Sequence, residues 1–181
     1  IDPIVAQGHC DLAVDICEHY PIPIICELLG APKSDWQFFS RVAEDVLRIF
    51  DANNANEIDL ILAAQADLDA YVRQLISERR NSPADDLITS LIAAEEAGDK
   101  LSENELVSMV EAVIIGGTDT TRNQLGCSVA LFAEHPEQWK LLAERPELAG
   151  KAVEETMRYF GAVRSTGRFA SEDIEYKGVL F

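Results

Sequence analysis

What this sequence holds little of narrows its function before any motif is read. Basic residues are scarce: 15 Lys and Arg stand against 32 Asp and Glu, a formal charge of −17 over 181 residues. A nucleic-acid-binding surface would have to form against that overall field. Long apolar runs are missing as well. Nothing approaches the length of a membrane span, and the first residues lack the basic stretch and apolar core of a secretory signal. Closely spaced cysteines are also absent: Cys10, Cys17, Cys26 and Cys127 form no C-x-x-C pair. That argues against a zinc or dithiol site and for reduced core cysteines in a cytosolic protein. A metal-dependent enzyme built on Asp85 and Asp86 finds no second acidic cluster at matching spacing, and the three histidines, His9, His19 and His135, are scattered. No internal repeat or low-complexity segment stands out.

What is present is helical periodicity, in a chain with 48% hydrophobic residues, enough for one globular domain. Ser102 to His135 predicts a single long helix. Ser102 and Glu105 form a capping-box pattern, Leu106, Met109, Val110, Val113 and Ile114 recur at helical spacing, and Leu125, Val129, Leu131 and Phe132 carry the apolar face on to Pro136, which ends it. Such a run is about 50 Å long and reads as a central helix. Its middle, Gly116-Gly117-Thr118-Asp119-Thr120-Thr121, is poor helix material, and the two glycines alone cost roughly 2 kcal/mol relative to alanine. Bare glycine backbone lets another group approach, threonine and aspartate can bond helix carbonyls and open a kink, and a carboxylate beside a hydroxyl can relay protons. Alternatively, two helices meet at the glycines and the polar residues cap the second.

Elsewhere the pattern predicts a short piece to Gly8, a brief strand at Cys10-Asp11-Leu12-Ala13, and a helix with Pro23 in its first turn that closes at Gly30. Ser34 is placed to cap a helix burying Trp36, Phe39, Val42, Val46, Leu47 and Phe50. A polar, exposed loop spans Asp51 to Asn56. A long helix runs from Glu57 to Asn81, with Ile58, Ile61, Leu62, Leu68, Val72, Leu75 and Ile76 inward. A short one has Asp85-Asp86 in its first turn and ends at Gly98. Past the central helix come Pro136 to Glu144, then Glu147 to Tyr159. After Gly161 the period changes to strands at Arg168-Phe169-Ala170 and at Ile174 to Phe181, with a turn at Gly178. The strand pattern is still running at Phe181, and a lone hairpin is marginal in water, so the expectation is that Phe181 is not a natural terminus.

Glu155 and Arg158 share a helix face; alone they would read as a solvated ion pair worth a few tenths of a kcal/mol. Arg168 alone would be a surface strand residue, although a guanidinium also makes a bidentate partner for a carboxylate. In order, however, the Gly-Gly-Thr-Asp-Thr-Thr helix, Glu155-Thr156-Met157-Arg158, Thr166-Gly167-Arg168-Phe169-Ala170 and Glu172 to Gly178 together resemble the cytochrome P-450 superfamily of haem-thiolate monooxygenases. The likeness is to its soluble bacterial branch, to which Pro23 to Pro32 is also similar.

The resemblance implies a mainly α fold, a long central helix surrounded by helices with a few short strands at the C-terminal end. It also implies haem b (iron protoporphyrin IX) as cofactor. Gly116 and Gly117 would open the oxygen-binding groove, Asp119 and Thr120 would be the acid and alcohol that deliver protons to dioxygen, and Arg168 would bind a haem propionate. Glu155 and Arg158 would be the structural E-x-x-R pair, and Val113 and Val163 would line the substrate pocket. The implied partners are a small organic substrate, O2, and a ferredoxin or similar donor passing electrons from NAD(P)H. Two departures stand out. Gly161-Ala162 replaces a frequent Pro-Pro, and the F-x-x-G-x-x-x-C-x-G loop that supplies the iron ligand is missing, so no metal ligand is expected in this chain. Residues 1–181 are therefore expected to be an internal fragment of one catalytic domain, inactive alone. A second reading, from another class, is an acidic all-helical interaction domain without haem, with Gly116-Gly117 as a hinge.

Overall fold

In the computed structural model, which describes residues 2–51, 54–96 and 101–181, the chain is a succession of helices closed by one hairpin. Helix α1 is Asp2–Gln7, and a π-helical turn comes next at Ala13–Cys17. No strand forms at Cys10 to Ala13. Asp11 Oδ1 instead accepts the backbone N–H groups of Ala13 and Val14, at 3.0 and 3.2 Å, and starts the helical turn.

Helix α2, Pro21–Leu29, begins two residues before the position predicted from Pro23. Both prolines are tolerated because the first turn has N–H groups without intrahelical partners. Its stop is as expected, with Gly30 at φ 73° and Ala31 N–H donating to Cys26 O at 2.8 Å. Helix α3 is Trp36–Leu47. Ser34 does not cap it, since that hydroxyl donates to Asp35 Oδ1 at 3.0 Å inside a preceding 3-10 turn. Phe50 is 82% exposed, contrary to the periodic reading. After Leu47 the chain tightens into a 3-10 turn, whose three residues per turn move Phe50 off the buried stripe.

Helix α4 is Ile58–Asn81 and α5 is Leu87–Glu96. Ile58 and Leu62, predicted inward, are exposed. Asp86 sits just before α5 instead of within its first turn and accepts Thr89 N–H at 2.9 Å. The stop predicted at Gly98, and Ala52 and Asn53 of the polar loop, lie outside the described residues. Helix α6, Glu103–Glu134, carries the full capping box and runs unbroken through Gly116-Gly117. The two-helix alternative is therefore incorrect. Helices α7, Pro136–Glu144, and α8, Ala149–Phe160, complete the set.

The C-terminal strands are β1, Glu175–Tyr176, and β2, Val179–Leu180, antiparallel with Tyr176 opposite Val179. Lys177 and Gly178 both have positive φ, 51° and 78°, the geometry of a two-residue hairpin turn. Arg168-Phe169-Ala170 is irregular, not a strand, and has no ladder partner among the described residues.

The core forms around the first half of α6. Leu106, Val107, Val110 and Ile114 pack with Ile22, Cys26 and Leu29 of α2, Phe39 and Val42 of α3, Leu68 and Val72 of α4, and Ile88 of α5. The second half of the helix, beyond the Gly116 to Thr121 turn, packs against α7 and α8. There Trp139, Met157, Phe160 and Val163 remain exposed, and Thr156 is the one buried side chain of α8. Cys17 and Cys26 are core residues as expected; Cys10 is exposed, and Cys127 is half-buried. Among the described residues no helix is long and apolar enough to cross a membrane.

Candidate functional site

The two glycines of α6 have different jobs. A Cβ built on Gly117 collides with the Ile25 side chain, its Cγ1 2.7 Å away, whereas a Cβ on Gly116 meets nothing within 4 Å. Gly117 therefore lets α2 pack closely on α6, and Gly116 presents bare backbone to open space. Gly117→Ala is expected to destabilise by about 1–2 kcal/mol, since overpacking outweighs the gain in helix propensity. Gly116→Ala is expected to stabilise by up to about 1 kcal/mol. Urea midpoints of the two variants check both signs.

The polar side chains at this turn bond back to their own helix. Thr118, buried, donates to the Ile114 and Ile115 carbonyls, 3.0 and 3.1 Å away, and Thr120 Oγ1 donates to Gly116 O. Each hydroxyl thus bonds a carbonyl of its own helix, as the sequence suggests, and the hydrogen-bonded helix stays continuous from Glu103 to Glu134. Asp119 is clamped by its own helix, Oδ1 by Arg122 Nη2 and Oδ2 by Asn123 Nδ2 at 3.0 Å. Arg122 and Asn123 went unread in the sequence, although their i+3 and i+4 spacing from an aspartate is a helix-pair signal. Asp119 and Thr120 thus share a turn but hold different partners, and Val113 is half-buried one turn before the glycines.

The remaining candidates lie on the exposed side of α8 and beyond it. Arg158 Nε and Nη2 each donate to a Glu155 oxygen at 2.7 Å, a bidentate pair. The hydrogen bonds from Arg158 hold the Glu155 carboxyl below its usual range, and those to Glu155 raise Arg158. Both side chains are more than half exposed, so the pair adds little stability as it stands. Arg168 is exposed and donates to its neighbour's carbonyl, Gly167 O, at 2.7 Å, and Val163 is 57% exposed. A groove of about 550 Å³ between the end of α6, α7 and α8 includes Glu155 but no residue of the Gly116 to Thr120 turn. The groove is not the candidate site, because the acid, alcohol and open glycine lie elsewhere on α6.

A sequence model of the family described as Cytochrome P450 matches residues 33–181. The chain belongs to the cytochrome P450 family. It is 35% identical to Cytochrome P450 CYP107DY1 of Priestia megaterium over 180 residues, 99% of this chain and 43% of that protein. Identity to the Vitamin D(3) 25-hydroxylase of Pseudonocardia autotrophica is 38% over 184 residues, 98% of this chain and 44% of that one. Among solved structures, P450BioI in complex with an acyl carrier protein ligated to hexadec-9Z-enoic acid superposes with a TM-score of 0.87 at 30% identity, covering 99% of this chain and 47% of that one. The chain thus spans less than half the length of these P450 relatives. Membership bears out the predicted fold class and leaves the haem-free interaction domain without support.

The P450 family implies haem, and the residues present fit it. The bare Gly116 backbone leaves room for a flat apolar group, and the exposed Arg168 guanidinium suits a carboxylate. The cysteines of the core do not fit an iron ligand. Burial pushes the Cys17 and Cys26 thiols up, away from the thiolate form a metal needs. Asp85 and Asp86 offer no metal site either, because the Asp86 carboxylate is taken by Arg79 and Thr89.

Proposed function

We propose that this chain is the central part of a haem-thiolate monooxygenase that inserts one oxygen atom of O2 into a small organic substrate. The observation that carries the reading is the unbroken α6, which leaves Gly116 open while holding an alcohol and an acid within the next turn. Haem, when bound, would supply the reductive activation of dioxygen. Gly116 admits the reactants close to the helix backbone. Thr120 Oγ1, now donating to Gly116 O, is free to rotate and offer its proton outward, and Asp119 renews that proton from the solvent side. Arg168 anchors a propionate. Val113 and Val163 give the substrate apolar contact, and the Glu155–Arg158 pair holds α8 against the part of the domain that covers it. Electrons reach the site from NAD(P)H through a ferredoxin-like donor, and the protein works in the cytoplasm.

The test is the absorbance of the reduced, carbon-monoxide-bound full-length protein. A strongly red-shifted Soret band is expected; no haem band, or one typical of histidine ligation, overturns the reading. In the same protein Thr120→Ala should keep the band yet divert about half or more of the consumed reductant to peroxide, as expected when a relay step worth roughly 10²–10⁴ in rate is lost. Unchanged coupling would remove Thr120 from the relay.

A further inference from the structure

The segment after α8 is held in a way that a proline could not reproduce. Gly161 has no room for a side chain, because a Cβ there falls 2.7 Å from the Met157 carbonyl oxygen and 3.4 Å from that of Val163. Ala162 retains a backbone N–H, and it donates to Gln124 Oε1 at 2.9 Å. Gln124 lies on α6 one turn past Thr120, so a single hydrogen bond ties the residue before Val163 to the helix of the candidate site.

The other end of the Gln124 amide is also committed. Its Nε2 donates to Ser128 Oγ at 3.4 Å; the single Ser128 hydroxyl proton is shared between the Gln124 backbone carbonyl, 2.8 Å away, and Thr156 Oγ1, 2.9 Å away, and Thr156 donates to the Val153 carbonyl at 3.0 Å. Turning the amide over would set an NH2 group against the Ala162 N–H, donor against donor, so the Ala162 N–H fixes the orientation. Thr156 is buried at its far end, which keeps water from replacing that link.

We propose that Gln124 is a positioning residue for the substrate: its bond to Ala162 sets where Val163 stands relative to the turn bearing Gly116 and Thr120, and thereby which apolar substrates are accepted. This rests on the monooxygenase reading above. A chain with proline at 162 would have no N–H to give, and the tie to Gln124 would be lost.

The test uses the full-length, haem-loaded protein with 4-phenylimidazole as an iron-binding probe that fills the space over the haem. Gln124→Met is expected to speed amide hydrogen exchange at Ala162 by about tenfold and weaken the probe by about three- to tenfold, the range of one net hydrogen bond, with the carbon monoxide band unchanged. Gln124→Glu, which keeps an oxygen for the Ala162 N–H, should stay near the parent. Ala162→Pro removes the donor from the other side, and the double variant should bind the probe no worse than the weaker single. Unaltered exchange and binding in Gln124→Met, or additive losses in the double variant, overturn the proposal. If Gln124→Met does not accumulate, Ala162→Pro alone decides, since unaltered probe binding there also overturns it. A full-length protein that takes up no haem defeats the monooxygenase reading itself, whereas one that loads haem normally and shows none of these changes defeats only the role of Gln124.

Discussion

Asp86→Ala should cost the full-length protein about 3–5 kcal/mol of stability, the range for leaving one member of a buried ion pair without its partner. Asp86 has a side chain 3% exposed and Arg79 one that is 19% exposed. Arg79 donates through Nε to Asp86 Oδ2 and through Nη2 to Gly30 O, while Asp86 Oδ1 accepts Thr89 N–H. One guanidinium and one carboxylate thereby join the end of α2, the end of α4 and the start of α5. A side chain on Gly30 would intrude on both groups, and its φ of 73° already favours glycine. Removing both charges with Arg79→Met and Asp86→Leu should recover most of the loss, leaving about 1 kcal/mol for the missing cap on α5. A single-variant loss below about 1 kcal/mol in urea midpoints would show that the network is not structural.

Acid should act through the same carboxylate. Burial, the largest influence, pushes Asp86 up, but the Thr89 and Arg79 hydrogen bonds and the Arg79 charge outweigh it and hold the group below the usual range. A carboxyl lowered by folding contributes stability that is present above the unfolded value, near about 3.9, and is lost as pH falls through the folded one. Parent and Asp86→Ala stabilities should therefore converge under strong acid, and a constant gap down to about pH 2 would contradict that assignment.

The fold was legible wherever one local rule decided the outcome: the Ser102–Glu105 box, the glycine stop at Gly30, the proline stop before Pro136 and the turn at Gly178. It was misread where a side chain out-competed the pattern. Asp11 captured two N–H groups and turned an apparent strand into a helical turn. The 3-10 turn after Leu47 moved Phe50 out of phase. Arg168 to Ala170 had strand composition and, among the described residues, no partner to pair with. At the candidate site the residue types were readable, but the division of labour between Gly116 and Gly117 was not. It depends on Ile25, far away in the sequence, and no periodicity reports such a contact. Arg122 and Gln124 were hidden for another reason, since each looks like ordinary helix surface until its partner is known.

Asp119→Asn should lower turnover of the full-length enzyme by about a hundredfold or more, the lower bound for losing a positioned acid–base group. The substitution keeps the shape of the side chain and the bond from Asn123 but removes the charge that Arg122 holds. Because both members of that pair are 27% exposed, the stability change should stay within about 1 kcal/mol. The two effects are therefore well separated in size. Haem content and the carbon monoxide band should be unchanged while reductant consumption slows and its solvent deuterium isotope effect rises, because proton renewal has become limiting. Thr120→Ala should behave differently, consuming reductant at near-parent rate and losing it to peroxide, since the entry of protons is intact and only their final placement fails. Parallel loss of haem and turnover in Asp119→Asn would instead make the Arg122–Asp119–Asn123 clamp a brace for α6. In that case the helix needs the carboxylate for its own integrity, and the proton path must begin at another residue.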